Sequence, residues 1–184
     1  MSISTKHTRF QAAVMPHLNA AFNLARWLTR SHQDAEDIVQ EAYLRAFRSF
    51  ENFHGDDGRV WLLTIVRNTF YSWYQRNKKQ QMETQFEEEI HSAEQNGSAT
   101  SQFENNDPEN LLVQQDSQKQ LQQALEALPL EFREVMIMRE LEDLSYKQIA
   151  EIIDIPMGTV MSRLGRGRKH LALLLAANNR PGRA

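Results

Sequence analysis

The residues with the types and spacing to do chemistry gather near the end of this 184-residue chain. Thr159, Ser162, Arg163, Arg166 and Lys169 recur at helical spacing on one face, while Val160, Leu164 and Leu171 recur on the other. That division predicts an amphipathic helix whose polar side suits a DNA groove. Arginine can donate two hydrogen bonds to a guanine edge, Ser and Thr can bond bases or phosphates, and an α-helix fits the major groove of B-DNA.

The residues just before this helix supply what would position it. Ser145 is placed to cap a short helix carrying Ile149, Ala150, Ile152 and Ile153, with small Ala150 permitting a close crossing. Asp154 stands where the chain must turn, a residue that tolerates the left-handed conformation, and Pro156 suits the first turn of the next helix. Gly158 leaves room for a phosphate to approach. Ser145 to Leu171 therefore reads as a DNA-binding helix-turn-helix.

Other chemistries find little support. There is no cysteine, which excludes disulfides, thiolate zinc ligands and thiol nucleophiles. His7, His17, His32, His54, His91 and His170 are scattered without ligand-pair spacing, so no metal or other cofactor is expected. No apolar run approaches the roughly 18–20 residues that span a bilayer, and the polar start lacks a signal peptide's apolar core. The expectation is a cytoplasmic, non-enzymatic protein with no membrane insertion and no small-molecule substrate.

A net charge of −3 looks wrong for a nucleic-acid binder until it is mapped along the chain. Between Gln81 and Asp116 lie nine acids and no Lys or Arg; setting these aside leaves 21 basic against 15 acidic residues. No acid follows Asp154, whereas six arginines and lysines do. The acidic stretch is rich in Gln, Asn and Ser, with Gly97 and Pro108, and reads as a flexible linker.

The predicted organisation is all-α: an N-terminal helical domain over 1–80, the acidic linker over 81–116, a C-terminal domain over 117–176 ending in the helix-turn-helix, and a disordered tail over 177–184. In the first domain, Phe10, Val14, Leu18, Ala21, Ala25 and Leu28 predict one amphipathic helix. Ser31 and the acids Asp34, Glu36 and Asp37 open a second, with Ile38, Val39, Ala42, Ala46 and Phe47 as its apolar stripe. Asn52 to Gly58 breaks the pattern, and Trp61 to Trp73 carries a third helix up to Arg76, Lys78 and Lys79. In the second domain, Leu121, Ala124, Leu125 and Leu128 form one stripe, and Pro129 separates it from Phe132, Val135, Met136 and Met138.

The wording of these residues resembles the small two-domain sigma factors of bacterial RNA polymerase, the extracytoplasmic-function group. In the second domain the resemblance rests on Ala127-Leu128-Pro129, Leu144-Ser145-Tyr146, Gln148-Ile149-Ala150 and the run Gly158 to Leu164. In the first it rests on Asp34 to Glu41 and on Trp61 to Asn68. Only the linker and the termini are uncovered.

The resemblance implies roles by position. The second helix, with Asp37, Gln40, Glu41 and Arg45, would dock on the clamp helices of core RNA polymerase; without the resemblance it reads as a solvated acidic face. A metal site from Asp34, Glu36, Asp37 and Glu41 fails because consecutive turns of one helix cannot converge on an ion unaided. The third helix would bind the promoter's −10 element as its strands open. Asn68 and the loop from Asn52 to Arg59, with His54, would form a pocket for a flipped base, and Arg67, Tyr71 and Tyr74 would face DNA. Trp61, Phe70 and Trp73, at helical spacing, are expected in the core. The loop departs from the family in carrying Asp56-Asp57-Gly58 where a small residue and an aromatic are usual.

By the same resemblance the helix-turn-helix would read the −35 element and apolar residues of its domain would meet the polymerase flap. An anti-sigma factor would hold the protein inactive. The alternative is a stand-alone helix-turn-helix regulator, which would need dimerisation to bind two half-sites.

Overall fold

A computed structural model describes residues 3–87 and 108–178, with side chains over 6–80 and 116–177. Every described element is helical, and the chain divides into two compact units, 1–99 and 100–184. Of the tail expected over 177–184, Ala177 and Asn178 continue the last helix, while 179–184 and the central linker residues 88–107 lie outside the described residues.

In the first unit the amphipathic stripe of Phe10 to Leu28 is interrupted, contrary to the expectation of one helix. Helix α1 (Ile3–Val14) ends in a 3-10 turn at Met15–His17 before α2 (Leu18–Thr29) begins. Pro16 is the cause, because it lacks an N–H and its ring clashes with the preceding turn. The stripe largely survives the break: Phe10, Val14, Ala21, Ala25 and Leu28 are buried and Leu18 is half-buried, with Leu24 added to the core.

Helix α2 closes on Arg30 in the left-handed region, φ 59°, whose N–H bonds Arg26 O. One residue later Ser31 caps α3 (His32–Ser49), its hydroxyl accepting from Asp34 N at 3.3 Å. Ala35, Ile38, Ala42 and Ala46 are buried on α3, and the three small alanines let it pack closely on α2 and on α4 (Gly58–Glu87). On α4, Val60, Leu62, Leu63, Val66 and Phe70 complete the core, and buried Thr69 satisfies its hydroxyl on Ile65 O at 2.7 Å.

The second unit has four α-helices among the described residues: α5 (Pro108–Ala127), α6 (Leu130–Met136), α7 (Tyr146–Ile153) and α8 (Met157–Asn178). A π-helical turn, Ile137–Leu141, continues α6. Pro129 separates α5 from α6, as its missing N–H requires, and its carbonyl accepts from Arg133 N at 2.9 Å. Leu125, Leu128, Phe132, Val135, Ile137, Met138, Leu144, Ile149, Ile152, Val160 and Leu164 form the core.

Two expectations need correction here. Leu121 is 42% exposed rather than core, one turn before the packed segment begins at Ala124. Helices also run into both ends of the acidic stretch, α4 as far as Glu87 and α5 from Pro108. Polarity alone does not stop a helix; residues 81–87 contain no breaker, and Pro at a helix's first position is favourable.

Candidate nucleic-acid interface

The helix-turn-helix is built by local chemistry that the sequence announces. Ser145 Oγ accepts from Gln148 N at 3.1 Å while Gln148 Oε1 accepts from Ser145 N at 2.9 Å, a reciprocal capping box. Asp154 takes the left-handed conformation, φ 60° and ψ 52°, ending α7, and Ile155 N reaches back to Ala150 O at 3.1 Å. Pro156 O then accepts from Thr159 N and Val160 N at 2.9 and 3.2 Å, starting α8. This turn fixes the angle at which α8 leaves the domain.

On α8, Ser162, Arg166 and Lys169 are exposed and Thr159 is half-buried at the edge, as the helical period predicts. Met157 and Met161 are exposed with them, and a Cβ added to Gly158 or Gly165 would meet nothing within 4 Å. The outer face is therefore low in relief and bears cations, a shape a groove can accept. Gly167 differs: its added Cβ would lie 3.0 Å from Met136 Cγ, so α8 sits tightly on α6 there.

Arg163 does not join that outer face. At about 100° per residue it falls beside the buried stripe of Val160 and Leu164. Its guanidinium lies 3.6 Å from Glu134 and 3.8 Å from Glu131, both on α6. Arg168 likewise turns to Glu140, donating from Nε and Nη2 at 3.2 and 2.7 Å, and that hydrogen bond raises its pKa above the ordinary guanidinium value. Helical periodicity along α8 could not reveal either pairing; the available signal was Glu131 and Glu134, three residues apart on a neighbouring helix.

In the first unit a second polar and aromatic surface forms on α4. The Arg67 guanidinium lies over the Tyr71 ring, 4.4 Å from its centroid, and Tyr74 is 42% exposed on the next turn, packed on Phe70 at 5.7 Å. Asn68 is exposed beside them. Phe70 is buried as expected, whereas Trp61 and Trp73 are only half-buried. Trp61 instead anchors the loop before α4, its ring 4.5 Å from Phe53.

In that loop Asn52 and His54 are exposed, and His54 Nδ1 lies 2.9 Å from Asn52 O. The unusual Asp57-Gly58 pair has a structural use. Asp57 Oδ1 accepts from Val60 N at 3.0 Å, capping α4, and a Cβ on Gly58 would lie 2.5 Å from Ala13 O of α1. Only glycine lets these two backbones meet.

On α3, Asp37 and Gln40 are exposed, whereas Glu41 and Arg45 are half-buried and paired with each other. Glu41 also lies 3.6 Å from Arg76 of α4. Leu44, 52% exposed, stands next to this pair. No described helix is long and apolar enough to cross a membrane, and no group of three or more His, Asp or Glu among the described residues is arranged to hold a metal.

Comparison with known proteins matches both units. The family model for Sigma-70 region 2 matches residues 13–80, and that for Sigma-70 region 4 matches residues 118–171. The chain is 33% identical over 137 residues to the ECF RNA polymerase sigma-E factor of Escherichia coli, covering 74% of this chain and 71% of that one. It is 32% identical over 166 residues to the ECF RNA polymerase sigma factor SigE of Mycolicibacterium smegmatis, 90% of this chain but 61% of the relative's length. Among solved structures it is similar to the sigma factor RpoE of Bartonella quintana in complex with the anti-sigma factor NepR, with a TM-score of 0.71 and 26% identity over 94% of this chain and 99% of that one. CnrH, solved with the cytosolic domain of CnrY, shares the fold with a TM-score of 0.63 at 20% identity, over 94% of this chain and 91% of that one. A two-domain helical protein with region 2 and region 4 is a sigma factor, and this chain belongs to the extracytoplasmic-function group of that family.

Proposed function

We propose that this protein binds core RNA polymerase, directs it to bipartite promoters and assists the opening of the −10 region, acting in the cytoplasm without a catalytic centre or cofactor of its own. One observation carries the reading. Two compact units each present a face with chemistry suited to nucleic acid, the cationic outer face of α8 and the Arg67, Tyr71 and Tyr74 face of α4.

The two surfaces suit different forms of DNA. Ser162, Arg166 and Lys169 on a rigid helix suit the major groove of a −35 duplex. Exposed Tyr74 and half-buried Tyr71, the latter beside the Arg67 cation, suit unstacked bases and their phosphates at the −10 element. Asn68, with Asn52 and His54 of the loop, supplies hydrogen-bonding groups for a flipped base. The −35 and −10 elements lie more than one turn of DNA apart, roughly 34 Å, and the acidic segment of residues 88–107, between the end of α4 and the start of α5, could span at most roughly 65 Å. Its charge mimics nucleic acid and suits a basic polymerase channel.

The α3 surface with Asp37, Gln40, Glu41 and Arg45 is the clamp-helix docking site in this reading, and apolar side chains of the second unit meet the flap. The similarity to RpoE, solved with an anti-sigma factor, supports an inhibitor of that kind for this protein too. The test is a footprint with and without core polymerase. Protection of −35 and −10 regions only in its presence supports the proposal; protection by the protein alone at paired half-sites would favour the stand-alone regulator.

A further inference from the structure

Two of the cations on α8 are paired with carboxylates of their own domain, Arg163 at a buried site and Arg168 at the surface, and this separates the helix's residues by task. Glu134 of α6 is 1% exposed, and a carboxylate so placed is costly unless a cation and hydrogen bonds compensate it. Arg163 is a cation beside it, at 3.6 Å, with Glu131 at 3.8 Å on the rim. Five residues on, Arg168 holds Glu140 at 2.7 Å. Between the two ion pairs Gly167 lets α8 close on Met136.

We propose that Arg163 is a positioning residue, clamping α8 to α6 through Glu134 and Glu131, and that promoter contact falls to Ser162, Arg166 and Lys169. The inference rests on the reading of α8 as the −35 helix. To reach a base, the Arg163 guanidinium would have to leave Glu134, stripping a buried carboxylate of a compensating charge. Arg166 and Lys169 carry no such obligation, being exposed on the outer face. Two clamps about five residues apart, near 7.5 Å along the axis, fix both the rotation and the axial position of the helix. A base-reading helix needs both, since each side chain must meet a particular base edge.

The test uses holoenzyme reconstituted from core polymerase and the full chain, on a promoter fragment that the holoenzyme itself selects from genomic DNA. Affinity is measured across a salt series, with the thermal melt of every variant. A positioning role predicts that Arg163→Met and Glu134→Gln each weaken binding about tenfold, and that the double substitution is little worse than either alone, because coupled partners are not additive. It further predicts that the slope of log affinity against log salt is unchanged by Arg163→Met but falls by about one for Arg166→Ala or Lys169→Ala where each holds a phosphate. Arg163→Lys, which keeps a cation near Glu134, retains most of the affinity.

A slope reduced by about one in Arg163→Met, or tighter binding in Glu134→Gln, would mean that Arg163 touches DNA, overturning the inference while leaving the −35 reading intact. If Arg166→Ala and Lys169→Ala also leave affinity and slope unchanged, the −35 reading itself fails and the inference with it. Should Arg163→Met fold poorly, the decision passes to Glu134→Gln, nearly isosteric, and Arg163→Lys.

Discussion

Replacing Gly58 by alanine tests how the N-terminus of α4 is set against α1. The added Cβ would lie 2.5 Å from Ala13 O and 3.4 Å from Ala13 C. That is about 1 Å inside the roughly 3.5 Å optimum for such contacts. The obstacle is backbone, so no rotamer change relieves it; α4 must shift away from α1. Overpacking of this kind costs about 1–3 kcal/mol. A backbone clash belongs at the upper end, near 3 kcal/mol, and the lower entropy of an unfolded chain with Ala in place of Gly returns about 0.7 kcal/mol. The net loss is about 2 kcal/mol, which for a domain of this size lowers Tm by roughly 8–16 °C. Circular dichroism melts of the full chain measure it, with Gly158→Ala as the control, since a Cβ there meets nothing within 4 Å. Replacing this first-turn glycine of α8 should leave Gly158→Ala as stable as the parent or more so by up to about 1 kcal/mol, because the unfolded chain loses freedom. A Gly58→Ala melt no lower than the parent's would refute the close approach. Because α4 carries Arg67, Asn68 and Tyr71, the shift should also slow promoter opening, read by permanganate reactivity of unpaired thymines.

The other predictions address the separate surfaces. Ser145→Ala removes the hydroxyl half of the capping box and should cost about 1 kcal/mol, seen as a lower melt of the C-terminal unit. Arg166→Ala should weaken −35 recognition by roughly 1–3 kcal/mol per lost base contact while polymerase binding is retained; promoter binding and size-exclusion co-elution with core polymerase check the two halves. Asp37→Arg with Glu41→Arg should do the reverse, abolishing co-elution with polymerase. The same double change removes the carboxylate that Arg45 and Arg76 share, so its melt should fall only modestly, since such half-exposed pairs contribute at most about 1 kcal/mol. Tyr71→Ala, which also strips Arg67 of its aromatic partner, should reduce opening more than initial binding, as heparin-resistant complexes would report.

Much of the fold is written in short-range signals. Ser31, Ser145 and Asp154 do in the structure what their types predict, because capping and left-handed turns depend on a few adjacent residues. Most of the stripes on α2, α3 and α6 is buried as periodicity predicts, for the same reason, although Leu18, Val39 and Phe47 are only half-buried. Pro16 was the exception: hydrophobic spacing runs through it unbroken while the missing N–H interrupts the helix, so the stripe concealed the break. What was not legible depends on contacts distant in sequence. Gly58 reads as a turn residue until Ala13 is placed against it, and Arg163 reads as one more outward cation until α6 brings Glu134 beside it. The candidate site was thus legible as a set of residue types on a helix, and the division of those residues between reading DNA and holding the reader was not.

The function proposed for this chain is to confer promoter selectivity on RNA polymerase. Transcription of fragmented genomic DNA by core polymerase, with and without the purified protein, tests it most directly. Discrete start sites should appear only when the protein is added, each preceded by a shared pair of −35 and −10 sequences. An unchanged transcript pattern, or starts that share no such sequences, would contradict the account.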